Sequence, residues 1–127
     1  MAAGAQILVV EDNEKNMKLF RDVLVATGFR TLEATTGGEA VDMASEHTPD
    51  LVLMDVQLPD LDGVQALHRL RADTRTATIP VLALTAQAMR GDRERFLAEG
   101  FDGYVSKPVN VRELIGIVKE HCEGRLG

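Results

Sequence analysis

Five short apolar runs punctuate this chain, and amphipathic stretches fill the intervals between them. The runs cover residues 7–10, 31–34, 51–54, 81–84 and 103–106. Ile7-Leu8-Val9-Val10, Leu51-Val52-Leu53-Met54 and Val81-Leu82-Ala83-Leu84 are continuously apolar, the pattern of strands covered on both faces. Thr31-Leu32-Glu33-Ala34 and Gly103-Tyr104-Val105-Ser106 are mixed, which assigns them to the sheet edges. The intervals repeat at helical spacing. Met17, Phe20, Val23, Leu24 and Thr27 form one stripe, stopped by Gly28. Ala40, Met43, Ala44 and His47 form a second, with Thr36 and Glu39 spaced as a capping box at its start. Val64, Leu67 and Leu70 predict a third helix. Phe96 and Leu97 predict a fourth, ending at Gly100. Val111, Leu114, Ile115, Val118 and Cys122 predict a fifth, with Asn110 and Glu113 spaced to cap it. Strands alternating with helices in this way predict an α/β doubly wound sheet. It has five parallel strands in order 2-1-3-4-5 and helices on both faces.

Sheets of this kind bind ligands beyond the carboxyl ends of their strands, where the winding direction reverses. Glu11 and Asp12 directly follow the first run, Asp55 ends the third, Thr85 ends the fourth and Lys107 follows the fifth. The topology thus gathers three carboxylates, a hydroxyl and an ammonium at one rim. Like charges at ~4 Å and an effective dielectric near 20 repel by about 4 kcal/mol per pair. A divalent cation relieves that cost, and an oxygen-only donor set suits Mg²⁺. No His or Cys lies at this rim, which excludes a zinc site there. A carboxylate such as Asp55 can act as a nucleophile and form an acyl-phosphate. Lys107 and Thr85 would then neutralise and bind the phosphoryl oxygens.

Composition narrows the classes. The 127 residues carry 14 Lys+Arg against 20 Asp+Glu, a net charge of −6 that argues against a nucleic-acid partner. No apolar run approaches the ~18 residues of a membrane span, so no membrane partner is expected. The single Cys122 cannot form an internal disulfide, and a cytoplasmic location is the expectation. His47, His68 and His121 sit at helical positions without a metal-ligand set. Met43 and Met54 fit core positions, whereas Met17 and Met89 are expected to be partly exposed on partner-facing surfaces.

Five segments, in this order and at these separations, carry a family resemblance. They are Val9-Val10-Glu11-Asp12-Asn13, Leu53-Met54-Asp55-Val56-Gln57-Leu58-Pro59, Asp62-Gly63, Leu84-Thr85-Ala86 and Ser106-Lys107-Pro108. Together they resemble the receiver domains of two-component response regulators, over about residues 5–123, with short tails at 1–4 and 124–127. The resemblance implies a flavodoxin-like (βα)5 fold and a Mg²⁺-dependent phosphoacceptor rather than a turnover enzyme. It implies Asp55 as the phosphoacceptor and Glu11 and Asp12 as the acidic metal pair. Asp55 and the Gln57 backbone carbonyl would complete the metal ligands. Thr85 and Lys107 would bind the phosphoryl group, and Tyr104 with Thr85 would form the switch. A cis Lys107–Pro108 bond is also implied.

The stretches Glu11-Asp12-Asn13-Glu14-Lys15-Asn16-Met17-Lys18-Leu19-Phe20 and Thr85-Ala86-Gln87-Ala88-Met89-Arg90-Gly91-Asp92 look most like the stand-alone DivK-type cell-cycle regulators. A histidine kinase or histidine phosphotransfer protein would then dock on the first helix, around Asn16, Met17 and Leu19. A downstream protein would read the face formed by the fourth helix, fifth strand and fifth helix. A receiver excised from a hybrid histidine kinase and an unphosphorylated scaffold are the alternatives within the family. Outside it, haloacid-dehalogenase-like phosphatases need a second acid where Gln57 stands. A flavodoxin-type cofactor loop would not carry Glu11-Asp12-Asn13.

Overall fold

A computed structural model describes residues 4–58, 60, 62–86 and 92–126. Strands β1 (Gln6–Val10), β2 (Arg30–Ala34), β3 (Leu51–Asp55), β4 (Val81–Thr85) and β5 (Gly103–Ser106) alternate with five helices. These are α1 (Glu14–Ala26), α2 (Gly37–His47), α3 (Gly63–Ala72), α4 (Asp92–Glu99) and α5 (Val111–Leu126). The sheet order is β2-β1-β3-β4-β5 and every pairing is parallel. The fold expected from the apolar runs is therefore the fold observed.

Alternation along the strands divides the core into two layers. Ile7, Val9, Leu51, Leu53, Leu82, Leu84 and Val105 face α1 and α5, where Met17, Phe20, Leu24, Leu114, Val118 and Cys122 pack on them. Leu8, Val10, Val52, Met54, Val81 and Ala83 face the other way, onto Ala40, Ala44, Leu67, Leu70 and Phe96 of α2, α3 and α4. β1, β3 and β4 are buried on both faces, which is why their sequences read as unbroken apolar runs. Each fully buried Leu, Ile or Val contributes about 1.5–3 kcal/mol.

The helix ends follow local chemistry. Asn13 caps α1 by accepting from the Asn16 amide at 3.0 Å, and Gly28, at φ 103°, takes the chain out of that helix. Thr36 accepts from the Glu39 amide at 3.1 Å, as expected. The reciprocal half differs: the Glu39 carboxylate accepts from the Thr35 amide, one residue before the cap. At α3 the full box forms between Asp62 and Gln65, which the apolar pattern did not signal. Asn110 accepts from the Glu113 amide at the start of α5.

Three positions correct the expectations. Met17 is 5% exposed and lies in the α1–α5 core layer, because it shares a helix face with Phe20 and Leu24. It is not part of an exposed docking face. Leu97 and Val111 are 43% and 41% exposed. Leu97 is one residue, about 100° of helix, beyond the buried Phe96, and Val111 opens α5 before its first buried residue, Leu114. Met89 lies outside the described residues.

At the amino edge of the sheet, Arg71 of α3 joins four groups. Its guanidinium donates to the carbonyls of Ala77 (3.1 Å), Ile79 (2.7 Å) and Gly100 (3.1 Å) and to the Asp102 carboxylate (2.9 Å). Asp102 also accepts from the Val81 amide at 2.8 Å. This clasp fastens α3, the α3–β4 connection and the α4–β5 connection together, at the end opposite the site described next.

Candidate functional site

The residues at the carboxyl edge converge because each ends a strand or directly follows one. The Glu11 amide donates to the Ala34 carbonyl at 3.0 Å, which prolongs the β1–β2 ladder past Val10 and holds Glu11 inward. Asp55 is the last residue of β3 and Thr85 the last of β4. The Lys107 amide donates to the Thr85 carbonyl at 2.7 Å, so β4 positions the residue after β5. The Lys107–Pro108 bond is cis.

The Lys107 ammonium bridges two buried acids. Its Nζ lies 2.7 Å from Glu11 Oε2 and 3.0 Å from Asp55 Oδ2. Glu11, Asp55 and Thr85 are 1%, 6% and 3% exposed, whereas Asp12 is exposed at the rim. Asp55 Oδ1 accepts from the Gln57 amide at 2.8 Å, and Glu11 Oε1 accepts from the Asn13 amide at 3.2 Å. Among the described residues no buried side-chain polar atom lacks a partner.

Burial pushes the Glu11 carboxyl above its usual value, and the nearby Asp55 charge pushes the same way. The Lys107 hydrogen bond opposes both without cancelling them. Burial alone would lower the Lys107 ammonium, but its bonds to Glu11 and Asp55 outweigh that, and it stays protonated above its usual range. Both directions describe one cation shared between two acids in a poorly solvated cleft.

Oxygen atoms of Glu11, Asp12 and Asp55 lie within 4.8 Å of one another. This all-oxygen set fits a hard divalent cation such as Mg²⁺. The cleft over it, about 440 Å³, is lined by these acids, Gln57, Thr85, Ala86, Lys107 and Arg95 among others. Every site residue expected from the sequence at this rim lies in the cleft. Tyr104 lies outside it: half-buried on β5, with its ring centroid 5.9 Å from that of Phe96 on α4.

Arg95 and Asp60 were not foreseen, and neither was the role of Gly63 within the Asp62-Gly63 segment. Arg95 lines the cleft from α4 while its guanidinium carbon sits 4.9 Å above the Phe96 ring. Its only sequence signal is its place on the helix that follows Thr85-Ala86. Asp60 accepts from the Gly37 amide at 2.7 Å and the Gly38 amide at 2.9 Å. That ties the segment after Asp55 to the amino end of α2, where a carboxylate suits the helix dipole. Gly63 lets α3 begin against β3: a Cβ there would lie 2.5 Å from the Asp55 carbonyl oxygen.

Comparisons with known proteins agree with this geometry. The "Response regulator receiver domain" family model matches residues 7–119. The polar-differentiation response regulator DivK of Brucella ovis is 47% identical over 115 residues, covering 91% of this chain and 94% of that protein. The receiver domain of the sensor histidine kinase PA1611 from Pseudomonas aeruginosa superposes with a TM-score of 0.87 at 38% identity. The match covers 95% of this chain and 99% of that one, and that structure has a magnesium ion coordinated in its active-site cleft. The chemotaxis protein CheY4 of Vibrio cholerae shares the fold, with a TM-score of 0.86 at 24% identity over 93% of this chain and 98% of its own. By its sequence and by the site at the carboxyl edge of its sheet, the chain belongs to the response regulator receiver domain family.

Proposed function

We propose that this chain is a DivK-type response regulator that accepts a phosphoryl group on Asp55 from a histidine kinase or histidine phosphotransfer protein. The observation that carries the reading is the Lys107 ammonium held between Glu11 and Asp55, with Asp12 beside them. A carboxylate oxygen of Asp55 forms the new O–P bond as the donor's N–P bond breaks, and the electron pair returns to the imidazole nitrogen. Lys107 and the Thr85 hydroxyl bind the transferred oxygens. Glu11, Asp12, Asp55 and the Gln57 carbonyl would hold Mg²⁺, which when bound supplies positive charge against the phosphoryl oxygens. The reaction modifies the chain itself and is not turnover, in keeping with the family.

The receiver domain spans 5–123 in this reading, with tails at 1–4 and 124–127. Among the described residues no helix is long and apolar enough to cross a membrane, and a cytoplasmic setting suits a partner kinase. The donor docks beside α1 at Asn16 and the exposed Leu19, over the buried Met17. Thr85 and Tyr104 form the switch. The downstream protein reads the α4–β5–α5 face, where Leu97, Gly103, Tyr104, Ile117 and His121 line a groove. The 38% identity to a kinase-borne receiver favours, as the second reading, the same chemistry within a hybrid kinase.

Intact mass after incubation with phosphoramidate, with and without Mg²⁺, tests the acceptor. One phosphoryl group on the wild type, dependent on Mg²⁺ and absent from Asp55→Asn, is expected. Failure with phosphoramidate, with beryllofluoride and with a cognate kinase would reduce the chain to an unphosphorylated scaffold.

A further inference from the structure

The cleft contains a second cation. Among its described lining residues, Lys107 and Arg95 are the two positive groups, and Lys107 is already held by Glu11 and Asp55. Glu11, Asp12 and Asp55 carry three formal negative charges against one on Lys107. A bound divalent cation balances the remaining two. An acyl-phosphate on Asp55 carries about two negative charges in place of one, so modification leaves the pocket with a surplus negative charge. Arg95 is exposed at the rim and belongs to a different element from every other charged group there. Its planar guanidinium suits phosphoryl oxygens, which it can engage by two parallel charge-assisted hydrogen bonds.

Arg95 also faces the aromatic cluster. It lies over Phe96, whose ring is 5.8 Å from Phe101, edge to face, and 5.9 Å from Tyr104. A charge-assisted hydrogen bond to a phosphoryl oxygen is stronger than a cation's contact with an exposed aromatic face.

Resting on the proposed acceptance at Asp55, we infer that Arg95 is a phosphoryl-binding residue. Modification draws its guanidinium off Phe96 into the cleft and so reports the state of Asp55 to the Phe96–Tyr104 pair. The second cation arises on α4, and its movement alters the packing of α4 on β5.

The test uses beryllofluoride with Mg²⁺ as the phosphoryl mimic. Binding is read by ¹⁹F NMR and the Tyr104 surroundings by intrinsic fluorescence, since the chain has one Tyr and no Trp. Arg95→Ala is expected to weaken beryllofluoride about tenfold and to blunt the Tyr104 response, without weakening Mg²⁺. Arg95→Lys should fall between, because it keeps the charge and loses the fork. Arg95→Met keeps the apolar stem over Phe96 and should behave as Arg95→Ala. A wild type that takes a phosphoryl group while all three variants bind beryllofluoride as it does overturns this inference alone. So does wild-type behaviour of Arg95→Met. A wild type that accepts neither phosphoryl group nor mimic overturns the acceptor reading and this inference with it.

Discussion

Replacing Lys107 by Met removes the charge that bridges Glu11 and Asp55 while retaining an unbranched apolar stem. In the absence of Mg²⁺ the two carboxylates then face each other in a cleft where their side chains are 1% and 8% exposed. The mutant has one escape: Glu11 takes up a proton. At pH 7 that costs about 1.36 kcal/mol per unit above the usual Glu value of 4.5, or about 3.4 kcal/mol. That figure is the ceiling on the repulsive penalty, and the ~4 kcal/mol repulsion of a like pair is large enough to reach it. Lys and Met side chains lose similar rotamer freedom on burial, so the exchange offsets little of it. Urea denaturation at pH 7 without Mg²⁺ should therefore show a loss approaching about 3.4 kcal/mol. The ceiling falls to about 0.7 kcal/mol at pH 5, so the gap from wild type should nearly close there. The sign agrees with linkage: a carboxyl raised in the folded state binds protons more tightly folded than unfolded, so its contribution falls as pH rises through 4.5. At the alkaline end Lys107, itself raised, contributes fully below 10.5, and that contribution is lost as pH rises through its folded value. A gap that is the same at pH 5 and pH 7, or a mutant as stable as wild type at pH 7, would refute the shared-cation account.

Four further outcomes follow from the geometry. Gly63→Ala should destabilise by about 3 kcal/mol or more in denaturant titrations, because its Cβ would meet backbone at 2.5 Å. Gly116→Ala, with nothing within 4 Å, should instead stabilise by about 0.5–1 kcal/mol. Arg71→Ala should cost about 2–3 kcal/mol and speed amide exchange at Val81. An unchanged thermal midpoint would show the clasp to be incidental. Mg²⁺ at about 100 times its dissociation constant should stabilise wild type by about 2.7 kcal/mol, an increment that Asp12→Asn should largely lose.

The central strands and the acidic rim were legible because two independent signals met. Continuous apolar runs marked β1, β3 and β4, and the chemistry-bearing residues sat immediately after or at the ends of those runs. Met17 carried conflicting signals. Its helical stripe placed it in the core, while the adaptability of Met suggested a surface, and the stripe prevailed because Phe20 and Leu24 share its face. Leu97 and Phe96 differ by one residue, and one residue of phase decides which of them the sheet buries. Arg71, Asp60 and Arg95 left little trace in the sequence for a common reason. Arg71 and Asp60 bind mainly backbone groups, which have no residue signature, and Arg95 is brought to the cleft only by where α4 lies.

The Arg71 clasp also constrains how α4 can move. Its bond to the Gly100 carbonyl secures the chain just past the helix's last residue, Glu99. The eight-residue helix extends about 12 Å from there toward the carboxyl edge. A displacement imposed near Arg95 is thus converted into a pivot about Gly100 rather than a slide along the sheet. The arm is short and tethered at its amino-edge end, so the travel is greatest beside the acidic cleft and dwindles toward the amino edge.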